Sequence, residues 1–296
     1  MSLPPNIGSR EYYSSENLTI NAAKYCSREC QKIAWPNHRL ECRPSPTCPD
    51  PHPIYQNLGY PARKTVVDAI RDWSTLHEYA ITVIVSIFVH LLAAELGRTV
   101  HDLVHSDVAM VITLNPIGRE PLRESPADRF TWQSSLLKAK PDALHDEFGF
   151  TRAAWDAAEA RRDRWAAHRP ADAANVVGLF LTTTSVAGSR VSVAREYPVF
   201  RVRKPLGARD ADVLHDVREV LSGLASTRLV ARLPKQSRSV FPDVGHVVKE
   251  GREWVFAVEP RWNWSNSVPH YVVRSFKSRL SVPVLFMRFR DIFDMP

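Results

Sequence analysis

Three of the four cysteines of this 296-residue chain lie close together in the segment YCSRECQKIAWPNHRLEC, residues 25–42. Cys26 and Cys30 are four residues apart, and so are His38 and Cys42, so that on helices each pair would lie on one face, one turn apart. The proline between the pairs suits the first turn of a helix but not its interior, which predicts two short helices with one pair each. Thiolate and imidazole are ligands that zinc prefers, so the segment is a candidate zinc site.

The same segment resembles the second half of a MYND-type zinc finger, a resemblance carried by Tyr25-Cys26, Cys30-Gln31, Trp35, His38 and Cys42. In that family two zinc ions are held in interleaved fashion by seven cysteines and one histidine. The resemblance implies that Cys26 and Cys30 serve one structural zinc, and that His38 and Cys42 serve the other.

MYND fingers are protein-interaction modules that often bind short proline-rich peptides. By resemblance, Gln31 and Trp35 are the residues that we expect to line such a partner surface. An aromatic face can dock a preformed proline helix at a low entropic cost, which agrees with this role. Packing between the two helices of the finger is the alternative role for Trp35.

The upstream half of the finger is missing, because residues 1–24 contain no cysteine or histidine. Each zinc would keep two of its four protein ligands, and such open sites bind metal weakly. Three arrangements remain open. In the first, the four residues close around a single zinc. In the second, Cys48 and His52 contribute, although Pro49 and Pro51 prevent a helix there; in the third, a longer chain supplies the other ligands upstream. We expect the last of these.

Composition and charge restrict the functional class. The net charge is +7, but basic and acidic residues alternate along most of the chain, as in residues 209–220, RDADVLHDVREV. This alternation is typical of solvated surfaces and does not favour nucleic-acid binding. Residues 1–25 have no apolar run long enough for a signal-peptide core, and clustered cysteines favour metal over disulfides. We therefore expect an intracellular protein, in the nucleus or the cytoplasm.

Proline content and hydrophobic periodicity divide the chain into four regions. We expect a disordered segment at residues 1–24, the partial finger at 25–43, a proline-rich linker at 44–62 and a larger domain at 63–296. The fold class that follows is α+β, with a small helical zinc-finger fragment joined to a larger mixed α+β domain.

Apolar spacing, residue propensities, and glycine and proline stops together predict the elements of the larger domain. They are one or two helices over Arg63–Gly97, a buried strand at Val108–Leu114, a helix at Arg152–His168, two strands over 175–202 joined at Ala187-Gly188-Ser189, a helix at Asp210–Ala225, and strands within 251–260 and 281–293. Residues 80–96 are apolar but short for a bilayer and carry His90 near their middle, so we expect a buried helix and no membrane contact.

Two further groups of residues could carry chemistry. His101 and His105 lie one turn apart beside Asp102, but a metal needs a third convergent ligand, so that solvated helix-end residues are the favoured interpretation. Aromatic residues near the C-terminus could line a pocket or, more commonly, anchor a turn at the edge of a sheet; they are Trp262, Trp264, His270 and Tyr271.

An enzyme is the alternative class of function. Some MYND proteins are lysine methyltransferases with the finger inserted in a SET domain, but the Asn-His-Ser-Cys type of cofactor motif is absent here, and no cysteine follows Cys48. A glycine-rich phosphate loop and a serine nucleophile elbow are also absent from the sequence. We therefore expect a protein that binds and does not catalyse. The alternative is an enzyme, for example a methyltransferase, with an active site within residues 63–296.

Overall fold

The computed structural model describes residues 55, 57–117, 124–140, 152–168, 174–189, 191–233 and 241–293. The predicted disordered segment, the partial finger and most of the predicted linker lie outside these residues. Helices and strands are mixed within the described part of the chain, which confirms the predicted α+β class.

The described helices are α1 (Arg63–Leu76), α2 (Glu78–Leu96), α3 (Val100–Val104), α4 (Arg152–Ala167), α5 (Ala208–Ser226), α6 (His270–Arg274) and α7 (Val282–Ile292). The described strands are β1 (Val108–Pro116), β2 (Phe130–Ala139), β3 (Val176–Val186), β4 (Val191–Phe200), β5 (Val230–Arg232), β6 (Asp243–Glu250) and β7 (Glu253–Val258). A short 3-10 turn, Pro126–Asp128, precedes β2.

The strands form two sheets. The larger sheet has the order β2-β1-β3-β4, in which only the β1–β3 pair is parallel and its connection runs through β2 and α4. The smaller sheet, β5-β6-β7, is antiparallel. β3 and β4 meet at a turn in which Gly188 has a φ of 71°, a conformation that glycine adopts without steric cost. The predicted joint at Ala187-Gly188-Ser189 is therefore confirmed.

The sequence predicts a buried helix over residues 80–96, and the structure confirms it as the buried part of α2. It packs against α5 and β4, and most of its side chains from Ala80 to Ala93 are buried. Two of its buried polar side chains are bonded to β4: His90 Nε2 lies 2.8 Å from the Phe200 carbonyl oxygen, and the Ser86 hydroxyl donates to the Pro198 carbonyl at 3.2 Å. By length and composition α2 could also cross a membrane, and 56% of its apolar window is buried within the fold.

Helix α4 covers the opposite face of the larger sheet. Trp155 and Ala158 pack there against Ala109 of β1 and Leu181 of β3. The guanidinium of Arg161 donates to the Glu196 carboxylate of β4 at 2.7 Å. The larger sheet therefore carries helices on both faces, and the helix predicted at residues 152–168 is confirmed.

The C-terminal element differs from its prediction. The frequency of β-branched and aromatic residues in 281–293 predicts a strand, but the structure has helix α7. Its buried residues recur at helical spacing: Val282, Leu285, Phe286, Phe289 and Ile292. Pro283 stands in the first turn, where its missing N–H removes no helical hydrogen bond. Burial of this stripe therefore outweighs the β-propensity of the individual residues.

A buried carboxylate fixes the loop between α6 and α7. Asp216 of α5 is fully buried, and its side chain accepts hydrogen bonds from the backbone N–H groups of Lys277 at 2.9 Å and Ser278 at 2.8 Å. Hydrogen bonds to an ionised acceptor are stronger than neutral ones. This carboxylate therefore holds the loop against α5.

Candidate functional site

The residues that the sequence assigns to the finger lie outside the described residues, so that their geometry is not part of this structure. They are the candidate zinc ligands Cys26, Cys30, His38 and Cys42, and the candidate partner-binding residues Gln31 and Trp35. Within the described part of the chain, no group of three or more His, Cys, Asp or Glu side chains is placed to hold a metal ion.

The two histidines at α3, His101 within the helix and His105 as its C-cap, are exposed, in agreement with their interpretation as helix-end residues. Asp102 forms a capping box with Thr99, in which each side chain accepts from the other's backbone N–H, at 3.2 and 3.0 Å. These hydrogen bonds lower the pKa of Asp102. The rings of His101 and His105 lie 4.5 Å apart beside a small cleft of about 170 Å³ that Arg162 also lines. A neighbouring guanidinium opposes a bound cation, which disfavours a metal there.

The C-terminal aromatic residues divide into two groups. Trp264 is buried against Phe286 of α7, with ring centroids 4.6 Å apart, and Trp262 meets Trp264 edge to face at 5.3 Å. The two tryptophans therefore anchor the segment after β7 to a helix. Tyr271 of α6 has a different environment, because 62% of its surface is exposed and its ring lines a cleft.

This cleft has a volume of about 430 Å³ and lies between α2, β2, α5 and α6. Its volume falls in the range of small-molecule sites. The floor contains buried apolar side chains, among them Ile84 and Val272, while the walls carry polar ones: Gln133, Ser134, Ser135, Ser222, Ser226 and Ser275. The Ser226 hydroxyl donates to the Trp132 carbonyl at 3.0 Å, which joins α5 to β2 along one wall.

The charged groups of the cleft are paired with each other. The Arg218 guanidinium donates to the Glu219 carboxylate at 2.7 Å and lies over the ring of Phe88, 5.1 Å from its centroid. The lining residues include no histidine or cysteine. The hydroxyls of Ser222, Ser226 and Ser275 already donate to backbone carbonyl oxygens, so they offer acceptor positions to the cleft, beside the exposed ring of Tyr271.

A second polar feature lies at the junction of α1 and α2. His77, the single residue between these helices, is fully buried, and its ring lies 4.4 Å from that of Trp73. Neither ring nitrogen has a hydrogen-bond partner among the described residues. Burial, with a smaller effect from Arg232, lowers the pKa of His77 to about 3. The imidazole is therefore neutral at physiological pH.

Comparison with known proteins identifies one segment of the chain. Residues 21–42 match the family model of the MYND finger, which confirms the resemblance derived from residues 25–42 and extends it to Asn21. MYND fingers bind zinc and generally mediate protein–protein interactions. No curated protein and no solved structure matches the chain.

The sequence did not single out the cleft between α2 and α5. Its lining residues come from four elements separated by long stretches of chain, and serines in an amphipathic helix are typical of any solvated face. His77 carried a weak signal, since it is a polar residue between two apolar helical segments. Tyr271 is one of the aromatic residues for which the sequence allows a pocket, and the structure places it at the cleft.

Proposed function

We propose that this protein is an intracellular zinc-binding protein of the MYND type, and that its finger segment serves as a protein-interaction module. Zinc is structural in this proposal, and the finger takes no part in catalysis. The match of residues 21–42 to the MYND finger is the observation that supports it.

The donor set of the segment fits zinc. Cys26, Cys30, His38 and Cys42 supply three thiolates and one imidazole, a combination that is common in structural zinc sites. In the family arrangement the first pair would hold one zinc and the second pair another. Closure of all four around one ion is the competing arrangement, and stoichiometry separates the two.

The partner in this proposal is a protein that presents a short proline-rich peptide. Gln31 and Trp35 would line the binding surface, because a tryptophan face packs against proline rings and an amide side chain can hydrogen bond to the exposed peptide backbone. A proline-rich peptide loses little conformational entropy on binding, since it is already extended in solution.

The zinc proposal is tested by metal analysis of the purified full chain. We expect bound zinc in the parent protein and a lower zinc content in Cys26→Ser and His38→Ala. A single shared site predicts one zinc that either variant abolishes, whereas two half sites predict that each variant removes a different ion. Cys48→Ser tests the arrangement in which Cys48 is a ligand, and it should leave the zinc content unchanged because Pro49 and Pro51 disfavour that arrangement. A parent chain without zinc would overturn zinc binding by this form of the chain.

The partner proposal is tested by fluorescence polarisation of a labelled proline-rich peptide of about 12 residues. Trp35→Ala and Gln31→Ala should weaken binding while zinc content stays at the parent value. A peptide with alanine at every proline position is the control ligand and should not bind. If Trp35→Ala binds the peptide as the parent does but unfolds more readily, then the side chain packs between the two finger helices and the proposed surface is wrong.

A further inference from the structure

Positive charge is concentrated in the C-terminal part of the larger domain. Residues 201–209 and 260–293 together contain ten Lys or Arg and one acidic residue, Asp291, whereas the whole chain has a net charge of +7. The rest of the chain is therefore slightly acidic. We call these two segments the basic layer.

The fold joins the two segments of the basic layer. The backbone N–H of Arg203 donates to the Ile292 carbonyl at 2.9 Å, and Val202 forms an isolated β-bridge with Phe293. The segment after β4 therefore lies along the end of α7, which exposes Arg288 and Arg290. The Asp216 hydrogen bonds described above fix the loop that contains Lys277 to α5, which also packs against α7.

The cations of the basic layer face solvent. All ten side chains belong to exposed residues: Arg201, Arg203, Lys204, Arg209, Arg261, Arg274, Lys277, Arg279, Arg288 and Arg290. Acidic groups lie near individual cations, with Asp291 4.0 Å from Arg288 and Asp210 3.7 Å from Lys204. Asp216 is buried and occupied by backbone N–H groups, so it does not meet these cations at the surface.

An exposed aromatic ring and a polar cleft adjoin these cations. Tyr271 and Arg274 are three residues apart on α6, a spacing that places their side chains on one helix face. Tyr271 also lines the cleft of about 430 Å³, whose nearby walls carry the Ser222 and Ser275 hydroxyls. Proteins that bind single-stranded nucleic acid without sequence preference place aromatic rings beside a cationic groove. The bases stack on the rings, and Arg and Lys hold the phosphates.

We propose that the basic layer binds single-stranded nucleic acid, with Arg274, Lys277 and Arg279 at the phosphates and Tyr271 stacked on a base at the mouth of the cleft. The sequence disfavours nucleic-acid binding because basic and acidic residues alternate along most of the chain. The two segments of the basic layer do not follow this pattern, since they contain ten cations and one acidic residue. Single strands are favoured over a duplex because stacking on one exposed ring and entry into a cleft require an unstacked base. Most of the cations are arginines, which match phosphate geometry.

An anionic membrane is a less suitable partner for this surface. The exposed large apolar side chains within the basic layer are Tyr271, Val273 and Met287, and they are distributed over two helices. Interfacial membrane helices present a continuous apolar face with cations along its border. The proposal is independent of the finger, because none of the residues involved belongs to the segment that matches the MYND family.

The experiment measures binding of the full chain to fluorescently labelled oligo(dT) and oligo(U) of about 20 nucleotides and to a duplex of the same length by anisotropy, from about 50 to 250 mM KCl. We expect tighter binding to the single strands than to the duplex. Arg274→Glu/Lys277→Glu/Arg279→Glu should weaken binding at least about tenfold at about 100 mM KCl and lower the salt slope by about 2, since each phosphate contact contributes about 0.7 on single strands.

A charge-matched control uses α1. Arg63→Glu/Lys64→Glu/Arg71→Glu makes the same change in net charge at exposed positions outside the basic layer and should change affinity less than threefold. Tyr271→Ala should weaken binding about tenfold with an unchanged salt slope, because stacking contributes without releasing counterions. Tyr271→Phe should bind as the parent does. Thermal melting of each variant checks that it is folded, and Cys26→Ser should retain binding whatever its zinc content.

Three results would each overturn the proposal. The first is an absence of oligonucleotide binding at the lowest salt concentration. Binding to phosphatidylserine vesicles in the absence of oligonucleotide binding would identify a membrane as the partner and overturn the proposal in the same way. The second is an equal loss of affinity in the α1 control, which would show that net charge alone is responsible. The third is a preference for the duplex together with parent-like binding by Tyr271→Ala.

Discussion

The finger segment and the larger domain differ in how their sequences express function. In residues 21–42 a few ligand-type side chains at fixed spacing suffice to match a family, because metal coordination depends on local geometry and on specific atoms. In the larger domain the conspicuous sequence features are apolar periodicities, which specify burial and carry no chemistry. A short segment can therefore identify a binding function while a much longer domain identifies only a fold class.

Removal of zinc should produce the largest difference in stability between the finger segment and the larger domain. Structural zinc contributes roughly 10 kcal/mol or more to small zinc-dependent folds, whereas the larger domain has its own apolar core. We expect a chelator to strip zinc from the finger and leave the main calorimetric transition within about 2 °C of its original midpoint. A main transition that moves in parallel with zinc loss would show that the two regions are one cooperative unit.

Adjacent residues of α7 provide the next test, within the larger domain. Phe286 is 1% exposed and Met287 is 47% exposed. Phe286→Ala should lower the free energy of unfolding by about 3–5 kcal/mol, because it leaves a cavity against Trp264, while Met287→Ala should cost less than about 0.5 kcal/mol. Urea denaturation measures both. Similar costs for the two variants would contradict the helical packing of this segment.

Acid sensitivity tests the buried imidazole at the α1–α2 junction. The pKa of His77 is about 3 in the fold, against 6.5 for an unperturbed histidine side chain. Between these two pH values the unfolded chain binds more protons than the folded chain, so the contribution of His77 to stability is complete above pH 6.5 and falls as the pH is lowered toward 3. The loss from this residue by about pH 4 is about 3 kcal/mol.

The variant His77→Phe removes this titration and keeps a ring beside Trp73. Its free energy of unfolding should therefore fall less steeply than that of the parent between about pH 6.5 and pH 4, as measured by urea denaturation at several pH values. Parallel curves for the two proteins would show that the imidazole is already protonated or solvated in the fold.

Substitution of Asp216, whose carboxylate joins α5 to a loop of the basic layer, should change the free energy of unfolding least among these substitutions of buried residues. Asp216→Asn keeps the shape of the side chain but replaces one acceptor oxygen by a donor, which should lower the free energy of unfolding by about 2–3 kcal/mol. Glu253→Gln at an exposed site of β7 is the control and should be nearly neutral. A neutral Asp216→Asn would indicate that water supports the loop in place of the carboxylate.

The sequence predicted the elements whose periodicity is long and consistent. The helices over residues 63–97 and 210–225 are confirmed, because a regular apolar stripe records which face is buried. The alanine-rich helix at 152–168 and the strands flanking Gly188 are also confirmed. The sequence did not predict β2 or β6, where buried and exposed residues do not alternate regularly along the strand. It assigned α7 to a strand because β-branched and aromatic residues are compatible with both structures.

The α+β class and the resemblance of residues 21–42 to a MYND finger follow from the sequence by itself, since hydrophobic period and the spacing of ligand-type side chains are properties of neighbouring residues. The tertiary structure alone decided which distant side chains meet. It placed Tyr271 beside the serines of α5, joined residues 201–209 to the end of α7, and buried His77 between two helices. These juxtapositions depend on how whole elements pack, which no local pattern in the sequence encodes.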